Sequence, residues 1–401
     1  MSWITAPLAK VSKVFDDGDW IESKDQSEDG IRLVQTGNVG EGIFKDRRDK
    51  ARFISEATFK RLNCSEVQPG DILISRLPDP VGRACVVPHT GDKMITAVDC
   101  TIVRLDDDRI DPSFLVYYSQ TANYQRDIEQ RCTGTTRKRI SRKSLGQISI
   151  PLPPLEEQKR IVAVLDQAFA ALDRARALAE ANLADAEEIL SQKLDELFNP
   201  VRSDLMRAIG EVASIQSGAG FPEKEQGSKA GDYPFYKVSD MNLPGNERHL
   251  VTANNYIDEP VRKRLRASIF PKGSIVFPKV GGAIATNKKR VVEAEGCVDN
   301  NVMGLIPDER VVLPEYFHEW LFATDIYEFS NKANPPSITQ GTVKEWPFFC
   351  PDLEEQAKIV GLVQSMRGGI TALSKHYQQT VADLGDLRQS FLQKAFAGEL
   401  T

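Results

Sequence analysis

From Val363 onward, apolar residues recur by threes and fours: Val363, Met366, Ile370, Leu373, Tyr377, Thr380, Leu384, Leu387 and Phe391. That spacing keeps one helix face apolar for roughly eight turns and predicts a coiled-coil seam. A second stretch, Leu155 to Phe198, contains no Gly or Pro, is rich in Ala, Leu, Glu and Gln, and follows "PLPP", whose prolines mark the break before a helix. Its 44 residues predict a rod about 66 Å long at ~1.5 Å per residue. At the matching positions it carries Leu165, Ala168, Leu172, Ala175, Ala179, Asn182, Ala186 and Ile189, mostly small where the other seam is large. Small against large predicts that the two helices pack on each other within one chain. Gly361, Gly368, Gly369 and Gly385 weaken the second helix and would permit a kink.

Outside these stretches the pattern shortens. "GDILISRL" and "GSIVFPKV" are β-rich runs opened by Gly at a turn, and "ACVVP", "TIVRL" and "KRVVE" predict further strands. "DPSFLVYYSQTANYQRDIEQ" and "PEYFHEWLFATDIYEFSNKA" are of helix length, each with Pro near its start. Strands and helices do not alternate as βαβ units would, so the expected class is α+β.

The chain is also written twice. "LEEQKRIV" from Leu155 returns as "LEEQAKIV" from Leu353, and the same offset of 198 residues pairs "ISRKSLGQISIPLPP" with "ITQGTVKEWPFFCPD" without a gap. Upstream, "FISEATFKRLNCSEVQPGDILIS" from Phe53 parallels "YIDEPVRKRLRASIFPKGSIVFP" from Tyr256 with small indels. The expected organisation is a globular domain over residues 1–154, a long helix over 155–199, a second globular domain over 200–352, and a second long helix with a short tail over 353–401.

Net charge of −6 argues at first against a nucleic-acid partner, but the charge is uneven. Leu155 to Phe198 holds ten acids and five bases, so this one helix carries most of the excess. Elsewhere four basic runs stand out: Arg47, Arg48, Lys50 and Arg52; Arg137 to Arg139 with Arg142 and Lys143; Arg262 to Arg264 with Arg266; and Lys288 to Arg290. One run is ordinarily a solvated surface, whereas four point toward phosphate. The six cysteines form no C-x-x-C pair and have no His at ligand spacing, so reduced structural thiols and no metal are expected. No apolar run approaches the ~20 residues needed to span a bilayer and no signal pattern opens the chain, so a cytoplasmic location is expected.

One tetrapeptide suggests catalysis. Asn334-Pro335-Pro336-Ser337 has the outline of the Asn-Pro-Pro-aromatic loop of amino-methyltransferases, yet Ser337 cannot stack on a flipped base. Its partner at offset 198 is Thr136-Arg137-Lys138-Arg139, a basic turn with no such chemistry. A glycine-rich cofactor loop could lie only at Gly218-Ala219-Gly220, a weak signal. No phosphate loop and no H-E-x-x-H is present, the four histidines are scattered, and "PDPVGR" from Pro78 lacks the acid-x-Lys of a nuclease. No catalytic residue is therefore assigned, and a methyltransferase acting in its own right is the less favoured alternative.

At "ISIPLPPLEEQKRIVAVLD", "LEEQAKIV" and "LRQSFLQKAFAGEL" the chain resembles the specificity subunits of type I restriction-modification enzymes, and "GDWIESKDQSEDGIRLVQTGNVGEG" and "VQPGDILISR" resemble their target-recognition domains. The resemblance implies two similar mixed α/β domains joined by two long antiparallel coiled-coil helices, related by a pseudo-twofold axis. It further implies that the chain is not itself an enzyme. Each domain would read one half of a bipartite site in double-stranded DNA, and the helices would set the unread spacer. Two methyltransferase subunits would dock on the helices, with Leu155, Glu156, Gln158 and Ile161, and Leu353, Glu354, Gln356 and Ile359, as the expected contacts. Nuclease and translocase subunits would join them, and S-adenosylmethionine, ATP and Mg would belong to these partners, none to this chain.

For DNA contact the candidates are Arg76, Arg83, Thr135, Thr136, Arg137, Lys138 and Arg139 in the first domain, and Lys279, Asn287, Lys288, Lys289, Asn334, Ser337, Thr339 and Gln340 in the second. Arg suits guanine edges and Asn or Gln adenine, while Lys more often meets phosphate. The alternative from another class is a coiled-coil scaffold that binds proteins rather than DNA.

Overall fold

The computed structural model describes residues 3–106, 108–200 and 203–400. Its residues fall into two compact units, residues 1–179 with 378–401, and residues 180–377. The two long helices span Leu155–Phe198 and Leu353–Ala397. The first unit holds the start of the first helix with the end of the second, and the second unit holds the converse. The helices therefore run antiparallel.

In the first unit an antiparallel sheet has the order Ser12–Asp17, Cys100–Leu105, Ile72–Ser75, Ala84–Val86. A second, mixed sheet has the order Arg52–Ile54, Ile31–Val34, Met94–Thr96, Glu66–Val67, with its central pair parallel. The second unit repeats this plan. Ala213–Ser217, Val302–Pro307, Ile275–Pro278 and Arg290–Val292 form its main sheet with His249–Leu250 at the edge, and Tyr256–Ile257, Tyr233–Tyr236 and Cys297–Val298 form the mixed one. Segregated, mainly antiparallel strands agree with the expected α+β class.

Even the turns are repeated. The helices Glu56–Leu62 and Glu259–Leu265 both end on a residue in the left-handed region, Asn63 and Arg266, each with φ of 52°. Local capping also corrects one expectation. The apolar stretch from Asp111 breaks into two helices, Pro112–Tyr118 and Ala122–Arg131, because the Thr121 hydroxyl accepts from the Tyr124 amide and starts a new helix. Likewise the helix Pro314–Ala323 ends where Asp325 caps a short 3-10 turn over Ile326–Phe329.

Each domain core is continuous with the long helices. Ile161, Leu165 and Phe169 of the first helix and Leu392 and Ala395 of the second join Phe114, Leu145 and Ile150 in one buried cluster. In the other unit Leu194 and Phe198 join Ile359, Val360 and Val363 around Tyr316 and Phe348. The predicted seam departs from the structure at several positions: Ala175 and Asn182 are exposed, Ile189 is 61% exposed and Leu387 is 44% exposed. A helix of 3.6 residues per turn drifts against a 3.5-residue repeat, so at Ile189 and Leu387 the buried line moves by one residue, to Leu190 and Arg388.

Candidate nucleic-acid interface

In both domains the end of the same inner strand of the main sheet supports an exposed loop. Arg76 follows the strand Ile72–Ser75; its amide donates to the Asp99 carbonyl at 2.8 Å, and its carbonyl accepts from the Ile140 amide at 3.3 Å. Lys279 follows Ile275–Pro278 and makes the same two bonds, to the Asn301 carbonyl and from the Ile338 amide, both at 2.9 Å. These bonds fix loops 133–139 and 331–337 at equivalent places.

The loops differ in what they display. In the first, Thr133 and Arg139 exchange backbone bonds of 2.8 and 2.9 Å, which closes a turn that leaves Thr135, Thr136, Arg137, Lys138 and Arg139 exposed. Arg139 also reaches Asp99 at 2.9 Å. In the second, the Asn331 carboxamide accepts from the Ser337 amide and donates to the Ser337 hydroxyl, both at 2.9 Å, while Asn334 stands exposed at the tip. Asn331, not Asn334, organises this loop, so the Asn-Pro-Pro-Ser segment serves as a turn.

Beneath each loop lies a short helix. Thr339 accepts from the Thr342 amide at 3.1 Å and caps Gln340–Lys344; its counterpart Ser141 accepts from the Ser144 amide at 3.0 Å and caps Arg142–Leu145. Gln340 and Lys279 both donate to the Ser217 hydroxyl at 3.1 Å. The corresponding position in the first domain is Asp17, which pairs with Arg76 at 3.3 Å. Lys288 donates to Asn242. Thus Thr135 to Arg139 gather on one edge, and Lys279, Asn334, Ser337, Thr339 and Gln340 on its equivalent.

Four candidates are placed differently. The Arg83 guanidinium is 8% exposed and donates to the carbonyls of Val39 (2.7 Å), Leu77 and Thr36 (2.9 Å) and Pro80 (3.0 Å). Its guanidinium is committed to these main-chain carbonyls. Arg76 is 4% exposed and donates to the Val98 carbonyl, and burial lowers its pKa from the usual guanidinium range. Lys289 is 3% exposed, donates to Asn287 at 2.8 Å and to the Thr324 carbonyl, and is pushed down to about 8 by burial. Asn287 sits in the left-handed region, where its side chain also accepts from the Ile326 amide at 3.1 Å. These groups are spent on holding the loops in place, while their neighbours stand exposed.

Arg83→Met is accordingly expected to lower the stability of the first unit by about 2–3 kcal/mol, since four acceptors lose one charged donor. Among molecules that remain folded, the dependence of DNA affinity on salt should not change. Denaturant unfolding and a salt titration of the same variant check the two halves of this statement.

The expected partner contacts divide in the same way. Glu156, Leu353 and Glu354 are exposed and Leu155 is half-buried. Gln158 and Gln356 are 0% exposed, Ile161 1% and Ile359 8%, so these four face the core and offer nothing to a partner. Gln158 accepts from the Asp111 amide at 2.9 Å and donates to the carbonyls of Arg109 (3.0 Å) and Pro153 (2.9 Å). Gln356 does the same with the Leu313 amide (2.8 Å) and the carbonyls of Val311 (3.1 Å) and Pro351 (2.8 Å). Each glutamine clamps the start of a long helix to the loop before a domain helix. The signal was present in the sequence: Gln158, Ile161, Leu165, Ala168 and Leu172 share one helical face.

Among the described residues no group of three or more His, Cys, Asp or Glu could hold a metal, and no helix is long and apolar enough to cross a membrane. The six cysteines are free thiols.

A family model described as the type I restriction modification DNA specificity domain matches residues 3–182 and again residues 204–382. The whole chain is 24% identical to the StySPI type I restriction enzyme specificity subunit of Salmonella potsdam, covering 89% of that protein. It is also 24% identical to the EcoKI specificity subunit of Escherichia coli strain K12, again over 100% of this chain and 89% of the relative. Among solved structures, a chain from a study of complex assembly in a type I restriction-modification system superimposes with a TM-score of 0.75 at 20% identity, over 99% of this chain and 98% of that one. The HsdS subunit from Thermoanaerobacter tengcongensis superimposes with a TM-score of 0.63 at 20% identity, over 99% and 97%. The same model matching both halves, over the same repeated fold, establishes that the chain belongs to the type I restriction-modification DNA specificity family.

Proposed function

We propose that the chain is the sequence-reading subunit of a type I restriction-modification enzyme, in which each domain reads one half of an asymmetric, bipartite site in duplex DNA. The observation that carries this reading is the pair of equivalent edges with unlike exposed side chains: Thr135, Thr136, Arg137 and Lys138 on one, Asn334, Thr339 and Gln340 on the other. Equal scaffolds dock equally, and unlike side chains select unlike bases. The chain performs no chemistry. Methylation of adenine from S-adenosylmethionine belongs to two modification subunits bound on the long helices, and ATP-driven, Mg-dependent translocation and cleavage belong to restriction subunits.

Exchange of residues 1–154 for the matching domain of a related subunit is expected to change one half-site and keep the other half-site and the spacer. The incoming domain must retain apolar surface for Phe391, Leu392, Ala395 and Phe396, which complete the first core from the second helix. Methylome sequencing of cells carrying the hybrid with its modification partner reads the outcome. A simultaneous change in both half-sites refutes independent reading, and adenine methylation by the purified chain alone refutes the absence of chemistry.

A further inference from the structure

Where the first domain's strand Ile31–Val34 ends lies a recess of about 390 Å³, lined by Gln35, Thr36, Gly37, Arg47, Lys50 and Arg52. Arg47, Lys50 and Arg52 are all exposed, and none has a carboxylate within ion-pair distance among the described residues. Their neighbours are neutralised. Arg32, only 2% exposed, bridges Asp46 at 2.5 Å and Asp92 at 3.2 Å, and Arg48 reaches the same two aspartates at 3.2 and 2.8 Å. This quartet holds Asp46 and Arg48 in place, so the segment is pinned on either side of Arg47. Of the next cations along it, Lys50 ends a short 3-10 turn over Arg48–Lys50 and Arg52 opens the edge strand Arg52–Ile54. Asp49 lies in the same turn, exposed and without an ion pair among the described residues.

The recess is built to admit a cation over bare backbone. A Cβ on Gly37 would stand 2.5 Å from the Arg47 guanidinium, so that exposed side-chain end lies directly over the Gly37 backbone. Thr36 is bound through its carbonyl to Arg83, which also holds Leu77 and Pro80 beyond Arg76. The recess is thereby tied to the turn that follows Arg76. At the same place in the second domain the strand Tyr233–Tyr236 is followed by Lys237, whose amide donates to the buried Asp240 and whose ammonium donates to Gln226. No comparable set of cations follows it among the described residues.

We infer that Arg47, Lys50 and Arg52 form a phosphate-backbone site, present in the first domain alone, that grips the DNA strand beside the first half-site. The inference rests on the reading of these domains as DNA-binding. Three unpaired cations around one recess repel one another until an anion enters, and duplex DNA presents phosphates in a fixed row. Backbone contact positions the domain and leaves base selection to the loop over residues 133–139.

The test uses the full chain with its modification subunits, carrying Arg47→Gln, Lys50→Gln and Arg52→Gln singly and together. The triple variant is expected to bind specific and non-specific duplexes more weakly by a common factor, on the order of tenfold or more, and the slope of log K against log salt should fall by about 2–3, near 0.9 for each phosphate that is no longer neutralised. The methylated sequence should stay unchanged. An unaltered slope with DNA binding intact overturns the site and leaves the DNA reading standing; failure of the unmodified complex to bind DNA overturns both. A changed base preference would make these side chains base readers and overturn the phosphate assignment. Tight calorimetric binding of inorganic phosphate without DNA would make the recess a free-anion site, with the same consequence. Because all three side chains are exposed, unfolding of the variants should match the parent, and lysine-directed labelling of Lys50 should be blocked by DNA in the unmutated complex.

Discussion

Gln158→Ala is expected to destabilise the first unit by about 3–5 kcal/mol, and Gln356→Ala to do the same to the second. Each side chain is fully buried and makes three hydrogen bonds, so truncation removes the partner of one amide and a donor from each of two carbonyls and opens a small cavity. The amide left unpaired belongs to Asp111, whose carboxylate accepts from Phe114 and caps the helix Pro112–Tyr118. Damage should therefore spread from the long helix into the domain. Gln158→Glu separates the parts of the clamp, since a carboxylate still accepts from Asp111 but cannot donate to Arg109 and Pro153, and it places a charge where none is matched. It should be at least as harmful as alanine. Glu156→Ala, one turn-face away and exposed, should change stability by less than about 0.5 kcal/mol. Hydrogen exchange resolved along the chain is the decisive measurement, because protection should fall around residues 109–118 in one variant and 311–321 in the other. A loss below about 1 kcal/mol would mean that the paired glutamines are incidental to the joint.

Those glutamines also show what the sequence made legible. The repeat, the two long helices and five strands of the main sheets follow from periodicity and punctuation, which are local properties, and the structure has them where the pattern placed them, whereas the main-sheet strands Ser12–Asp17, Ala213–Ser217 and Val302–Pro307 were not read. Equivalence of the two loops at offset 198 was also readable, since no gap intervenes between them and the long helices. Burial of cations was not. Arg83 lies in a turn rich in Pro and Gly, where an arginine is ordinarily solvated, and it is buried by the carbonyls of Thr36 and Val39, more than forty residues away. Lys289 stands in a run of three bases that reads as surface, yet just before the strand Arg290–Val292 it is buried on the Thr324 carbonyl, and Arg290 is buried as well, while Lys288 remains half-exposed. Long-range main-chain acceptors bury some members of a basic run and leave others in solvent, so a charge count cannot say which of them meets a ligand. Seam drift at Ile189 and Leu387 has the same origin, because the buried line depends on how the helices twist together rather than on spacing alone.

The second large effect concerns the spacer. Adding seven residues to both long helices, after Ala179 and after Tyr377, is expected to lengthen the unread spacer by about three base pairs without changing either half-site. These positions are related by the 198-residue repeat and coincide with the division between the two units, so neither core is cut. Seven residues add about 10 Å at ~1.5 Å per residue and two turns of helix, which keeps the apolar line within about 20° of its course. With ~3.4 Å per base pair, that length corresponds to three base pairs. Both helices must change together. Leu190, Leu194 and Phe198 close the second core from the end of the first helix, while Leu392 and Ala395 close the first core from the end of the second. An insertion in one helix alone would pull one of these ends from its seat, and a loss of DNA binding without a new spacer is expected for it. Even the paired insertion carries a rotational cost, since three base pairs turn the second half-site by about 100° on ~10.5 base pairs per turn. Affinity should fall until a duplex with the longer spacer is supplied, and recover only in part. Methylation mapped over a library of spacer lengths measures this directly; an unchanged spacer at full affinity in the doubly extended protein would mean that the helices do not set the distance.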